Sequence, residues 1–223
     1  MAEGSVIEPE FVSQYRKQFD STWTDDAEID DVRFVVLDCE TTGLNPASDR
    51  IITIGAVAVH NGEIVIEDSF DALVRMSRNS ESVTVHGITR DESRDGLDES
   101  DAVERFLAYL RDGVIVGHHI GHDVAILDAS CERHWGFHLL NRCVETVYVA
   151  LHLQAAGAFP NHRPAQRFTL DALCDRFGIV PHGRHTATGD AFLTAQVFLR
   201  LRALAKRFGR DRLGALCEPF GEL

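Results

Sequence analysis

Apolar residues along this chain fall either into short unbroken runs or into stripes of helical period. Residues 33–38 and 51–59 are apolar runs of strand length, the pattern of strands buried on both faces. Asn61-Gly62 follows the second run and is a strong hairpin signal. Residues 63–74 then predict a third strand, so the chain opens its main fold with an antiparallel meander. Residues 77–98 are polar and loop-like apart from Val83, Val85 and Ile88. Residues 99–111 predict a helix with Val103, Phe106, Leu107 and Leu110 on one face. A short strand at 114–117 and a helix at 123–135 come next, and 143–153 runs from strand into helix. A loop at 154–168, a short helix at 169–177 capped by Thr169, a long helix from about 187 to 208 and a helical turn near 210–217 complete the chain. Ahead of all this, Phe11, Val12, Tyr15 and Phe19 share helical spacing within 8–20. The expected architecture is a mixed α/β sheet flanked by helices in a single domain, 32–223. It is preceded by a helical extension and acidic linker, 1–31, that either docks on the domain or meets a partner.

Composition sharpens this. The 223 residues are 44% hydrophobic and 26% charged, which excludes a disordered chain or a coiled coil. No apolar run approaches the roughly 18 residues of a membrane helix, and MAEGSVIEPE has no basic and apolar leader pattern. A cytoplasmic protein with no membrane partner is expected. Five cysteines, none at CxxC spacing, predict reduced core residues rather than a zinc ribbon or disulfide scaffold. The formal net charge is −13, but it is unevenly spread: residues 1–141 carry 28 acidic against 11 basic residues, and 142–223 carry 7 against 11. Such a chain does not live by nonspecific grip on duplex DNA. A polyanionic substrate must be held by a local patch or through bound cations.

Candidate chemistry lies in four carboxylates. Asp38 and Glu40 stand at i, i+2 where the first strand ends, so they share one face if the strand persists. Two adjacent carboxylates repel unless a cation lies between them. Asp123 opens the helix after strand 114–117, and Asp190 lies in the first turn of the long helix, five residues after His185. Each alone suits a helix N-terminus. Four converging oxygen donors suit hard cations such as Mg²⁺ or Mn²⁺, and His185 is placed to act as a base.

These residues fall in recognisable motifs. The first is Leu37-Asp38-Cys39-Glu40-Thr41-Thr42-Gly43-Leu44, followed by 50–57 (RIITIGAV). The second is 117–123 (GHHIGHD). The third is His185-Thr186-Ala187-Thr188-Gly189-Asp190, and Val85-His86-Gly87-Ile88-Thr89 lies between them. In order and spacing the chain resembles the DEDDh, or DnaQ-like, 3′–5′ exonuclease family, with a ribonuclease-H-like fold, over about 33–203. The resemblance implies that Asp38, Glu40 and Asp190 hold a first metal ion. Asp38 would bridge to a second, which Asp123 would hold directly or through water. It further implies His185 as general base, Thr41, Thr42, Gly43 and Leu44 as the grip on the 3′-terminal nucleotide, and His86 as part of that pocket. The implied activity is release of nucleoside 5′-monophosphates from single-stranded or frayed DNA ends, with a DNA polymerase subunit as a possible partner. An RNA or oligoribonucleotide exonuclease and an inactive binding module are the alternatives. The second motif departs from the family pattern at His119 and His122, and Glu145 stands where many members have Asp, supporting the metal ligands from behind or acting structurally.

Other signals have plainer readings. His118 and His122 are four apart, as in zinc hydrolases, but no Glu lies between them and Gly121 interrupts a helix there. Asp128 is expected to face solvent. Arg163 and Arg167 near Phe159 and Phe168 suit either contact with a single strand or a surface loop. Arg200, Arg202, Lys206 and Arg207 suit a solvated helix face.

Overall fold

The computed structural model describes residues 8–76, 87–159 and 168–220. Its elements are α1 (Glu10–Lys17), β1 (Phe34–Thr41), β2 (Ile51–His60), β3 (Glu63–Leu73), α2 (Glu99–Leu110), β4 (Val114–Gly117), α3 (Gly121–Trp135), β5 (Cys143–Glu145), α4 (Thr146–Ala155), α5 (Leu170–Phe177), α6 (Ala187–Arg207) and α7 (Leu213–Cys217). The strands form one mixed sheet in the order β3-β2-β1-β4-β5. β1, β2 and β3 pair antiparallel, with the β2–β3 turn at Asn61 and Gly62, both at positive φ. β4 joins β1, and β5 joins β4, in parallel.

Strand alternation sends Phe34 and Val36 to one face and Val35 and Leu37 to the other, and both faces are covered. α4, α5, α6 and α7 pack on the first face; α1, α2 and α3 pack on the second. That is why the β1 and β2 sequences are apolar runs rather than alternations. Thr169 caps α5 as its sequence predicts, its hydroxyl accepting from the Ala172 N–H at 3.2 Å.

The N-terminal segment docks. Val12 and Tyr15 are buried, the Tyr15 hydroxyl accepts from the Leu140 N–H at 2.9 Å, and Phe11 meets Trp135 edge-on at 4.9 Å. The acidic stretch after it buries Ile29 and pairs Asp30 with Arg202 and Lys206. The basic stripe of the long helix is therefore not uniformly solvated, since Arg202 is a buried counter-ion for this segment. Among the described residues no helix is long and apolar enough to cross a membrane.

Two features of the sheet create the site. First, the β1–β4 pairing runs only from Phe34↔Val114 to Val36↔Val116, so the end of β1 projects beyond its parallel neighbour. Second, Gly55 lies opposite Asp38 in the β1–β2 register, and a Cβ there would meet Ala187 C and Thr188 N at 2.3 Å. The absent side chain lets the start of α6 rest on the sheet and brings Asp190 down to Asp38. Gly55→Ala is therefore expected to push the α6 N-terminus away, at a cost of about 1–3 kcal/mol for overpacking. Activity should fall about 10²-fold, as it does when reacting groups shift by about 1 Å. Thermal unfolding, read beside rates of the nuclease activity that the family resemblance implies, checks this; a variant with wild-type rates would show that the close approach is dispensable.

Candidate active site

The end of β1 supplies Asp38 and Glu40 on the α6 side of the sheet, the same side as Phe34 and Val36. Donor oxygens of Asp38, Glu40 and Asp190 lie within 4.8 Å of one another, and among the described residues this is the one group of acidic, His or Cys side chains with such geometry. Asp190 is aimed by its own turn: its Oδ2 accepts from the His185 N–H at 3.1 Å, and its Oδ1 pairs with Arg184. Thr186 caps α6, accepting from the Gly189 N–H at 3.2 Å. Asp123 is buried beside the cluster, and its Oδ1 accepts from the Cys39 N–H at 2.8 Å. That N–H belongs to the part of β1 beyond the β4 register, so the carboxylate occupies the space the shorter strand leaves.

Burial is the largest force on these groups, and mutual repulsion adds to it. Burial, then the charges of Asp123, Asp190 and Glu40, hold the Asp38 carboxyl well above the usual carboxylate range. Burial and then the Asp190 charge push Glu40 up to about 7, against the pull of Arg184. Burial raises Asp123 despite the Cys39 hydrogen bond. An all-oxygen set of crowded carboxylates under such strain fits a hard divalent cation, which would relieve the repulsion and draw the protons off.

His185 lies on the rim of the same cleft, of about 440 Å³, exposed and at a φ of 63°. Beside the cluster the 41–45 segment is clamped by Asp49. Its Oδ1 accepts from the Thr42 hydroxyl at 2.8 Å and its Oδ2 from the Asn45 N–H at 2.9 Å, while the Thr41 hydroxyl donates to Gly43 O at 2.9 Å. The result is a rigid turn that holds Leu44 out at 84% exposure. His86 lies outside the described residues, as do Arg163 and Arg167.

The histidines of the second motif diverge. α3 begins at Gly121, two residues earlier than the sequence pattern suggests, so His122 is in the helix and His118 is not. His118 Nδ1 lies 2.9 Å from Thr146 Oγ1, and His122 Nε2 lies 3.3 Å from Thr41 Oγ1, so they do not share a ligand point. Glu145 ties backbone together, its carboxylate accepting from the N–H groups of His119 and Ile120 and from that of Val147 as the α4 cap, and its charge also bears on the neighbouring Asp123. The remaining surface readings need revision. Asp128 accepts from the Leu139 N–H at 2.8 Å and pairs with His138, which ties the α3–β5 connection rather than facing solvent freely. Phe159 and Phe168 are buried against each other, so neither is a stacking platform for a strand. Sequence reasoning missed Asp49, Gly55, Asp171 and the part played by Arg184. Of these, Gly55 lay within the 50–57 motif without a role assigned to it, and Arg184 was adjacent to His185.

A sheet that ends in a carboxylate cluster, faced by a helix N-terminus, suits cation-assisted hydrolysis, and comparison with known proteins gives the class, an exonuclease. The chain belongs to the RNase_T exonuclease family, whose sequence profile matches residues 35–198. It is 36% identical over 193 residues to a DNA polymerase III subunit epsilon-like protein of Rhodobacter capsulatus, covering 84% of this chain and 26% of that protein. It is 32% identical over 195 residues to a PolC-type DNA polymerase III of Thermotoga maritima, covering 86% of this chain and 14% of that one. The chain thus spans about a quarter or less of these relatives' length. The fold matches Escherichia coli exonuclease I in complex with a dT13 oligonucleotide, with a TM-score of 0.69 at 20% identity over 80% of this chain and 42% of that chain. The zinc-bound form of the same enzyme with single-stranded DNA matches with a TM-score of 0.70 at 20% identity, over the same shares of the two chains.

Proposed function

We propose that this chain is a 3′–5′ exonuclease that removes nucleoside 5′-monophosphates from single-stranded or frayed DNA, using two divalent cations, Mg²⁺ or Mn²⁺. The observation that carries the reading is the Asp38–Glu40–Asp190 cluster, with oxygens within 4.8 Å, beside the exposed His185. Asp38, Glu40 and Asp190 are assigned to one cation, and Asp38 with Asp123 to the other. Such ions supply Lewis-acid polarisation of the phosphodiester and stabilise charge on the attacking and leaving oxygens. His185 takes the proton from the attacking water. Thr41, Thr42 and Gly43 form the turn against which the terminal nucleotide seats, with the exposed Leu44 as an apolar surface for its base. His86 is assigned to the same pocket. DNA as substrate is favoured by the names of the relatives, one a PolC-type DNA polymerase III and the other a DNA polymerase III subunit epsilon-like protein. Association with a DNA polymerase is proposed on the same ground.

The test uses Mg²⁺ or Mn²⁺ and four substrates: 3′-labelled single-stranded DNA, matched duplex DNA, RNA and a circular single strand. Mononucleotide release from the labelled 3′ end of single-stranded DNA, with the circle intact, is expected. Efficient cutting of the circle would make the enzyme an endonuclease, and faster release from RNA, with its 2′-hydroxyls, would reassign the substrate.

A further inference from the structure

Arg184 is the one Lys or Arg side chain lining the cleft among the described residues. Its guanidinium is divided between two carboxylates. Nη1 pairs with Asp190 Oδ1, while Nε donates to Asp171 Oδ1 at 2.8 Å and Nη2 to Asp171 Oδ2 at 3.5 Å. The Arg184 and Asp190 side chains are 24% and 10% exposed, whereas Asp171, in the first turn of α5, is 63% exposed at the mouth. Asp190 is therefore neutralised by the protein itself, while Asp38 and Glu40 have no ion pair of their own among the described residues. A guanidinium and a divalent cation cannot both sit on the same carboxylate without repelling each other.

We propose that Arg184 is a displaceable counter-ion: it holds Asp190 in the metal-free protein, is competed off that carboxylate by an entering divalent cation, and stays tethered to Asp171 with Nη1 free for a substrate phosphate. This rests on the reading of Asp38, Glu40 and Asp190 as a cation site. The tether is what makes the exchange easy. Two of the three contacts are already on Asp171, so leaving Asp190 gives up one pairing and strands no charge. The planar fork of donors suits phosphate oxygens, and the guanidinium stays charged throughout. Before cation entry the same group props the cluster. Afterwards it supplies positive charge at the wall of a cleft that also holds the carboxylates of Asp38, Glu40, Asp171 and Asp190.

The experiment is Mn²⁺ calorimetry on the full chain without nucleic acid, for wild type, Arg184→Gln, Asp171→Asn and the double variant. Arg184→Gln is expected to bind Mn²⁺ about tenfold more tightly, within the usual coupling between competing ligands of one site. Asp171→Asn is expected to bind about threefold more weakly, because the displaced guanidinium loses its resting place. In the Arg184→Gln background the Asp171→Asn effect should vanish. An Arg184→Gln protein that binds no more tightly overturns the counter-ion role. Weakening by Asp171→Asn that persists without Arg184 reduces Asp171 to one more negative charge and overturns the tether. Wild type that binds no Mn²⁺ removes the cation site and this proposal together, an outcome distinct from the other two. Arg184→Lys keeps the charge without the fork and is expected to fall between wild type and Arg184→Gln, so a poorly folding glutamine variant does not remove the test. In saturating Mn²⁺, Arg184→Gln should raise KM for oligothymidylate about tenfold, the scale of a lost hydrogen bond to a charged group, and change kcat less. An unchanged KM overturns the phosphate contact.

Discussion

Asp38→Asn is expected to lower nuclease activity by at least about 10³-fold while making the metal-free protein more stable. The activity loss follows from its place in the cluster. A cation site is worth several kcal/mol of transition-state charge stabilisation, and each 1.36 kcal/mol is about tenfold in rate. The stability gain follows from the direction of the carboxyl shift. Asp38 titrates far higher in the folded protein than in the unfolded chain, as do Glu40, at about 7, and Asp123. The folded state therefore binds more protons, and metal-free stability falls as pH rises from about 4, the unfolded carboxyl range, through 7 and beyond. The substituted amide does not titrate and contributes nothing to that slope. The two proteins should melt together near pH 4, with the variant drawing ahead as pH rises, each 1 kcal/mol showing as about 2–4 °C. Melting curves with and without Mn²⁺, beside rates on single-stranded DNA, provide the check. Turnover near wild type would remove Asp38 from the cation site, and equal melting at pH 8 would mean that the cluster carries no repulsive load.

What was legible in the sequence follows from where each signal resides. β1, β2 and β4 are buried on both faces, so their runs are apolar without alternation and could be placed to within a few residues. The hairpin was legible because Asn61 and Gly62 both take positive φ, which few residue types allow. The start of α3 was not, because Gly121 disfavours a helix interior but costs little as the first residue of one, where no preceding turn needs its side chain. The docked N-terminus was half legible: helical spacing gave α1, but nothing local showed that Asp30 would meet Arg202, some 170 positions away in the chain.

At the site the split is sharper. The carboxylates and His185 stand out because they are polar residues at the ends of apolar elements. The groups that arrange them leave no such trace. Gly55 reads as an ordinary small residue inside a strand, and its purpose exists only once α6 has been laid across it. Asp49 and Asp171 look like surface acids in a chain that has 35 acidic residues. Their partners, the Thr42 hydroxyl and the Arg184 guanidinium, come to them through the fold of loops that no periodicity describes. Asp123 was found as a carboxylate but not as the acceptor for a strand N–H, because the space it fills depends on β4 being shorter than β1.

His185→Asn is the second large effect expected, a fall of about 10²–10⁴-fold in rate, the scale of losing a general base, with cation affinity preserved. The backbone makes this separation possible. His185 holds a φ of 63°, and its N–H donates to Asp190 Oδ2 at 3.1 Å. A substitution that disfavoured that φ would turn the N–H away and disturb Asp190 as well, confusing base loss with metal loss. Asn visits the left-handed region more readily than other non-glycine residues, so it keeps the N–H in place while removing the imidazole. His185→Gly also accepts that φ, and it leaves room for a base from solution. The glycine protein should regain part of its rate with added imidazole, and wild type should not respond. Mn²⁺ affinity by calorimetry, measured beside rates on single-stranded DNA for all three proteins, separates the two roles of this position. If the asparagine protein binds Mn²⁺ normally yet keeps the wild-type rate, the imidazole is not the base. If it loses rate and affinity in proportion, His185 acts through its backbone on Asp190 and the proton leaves by another route.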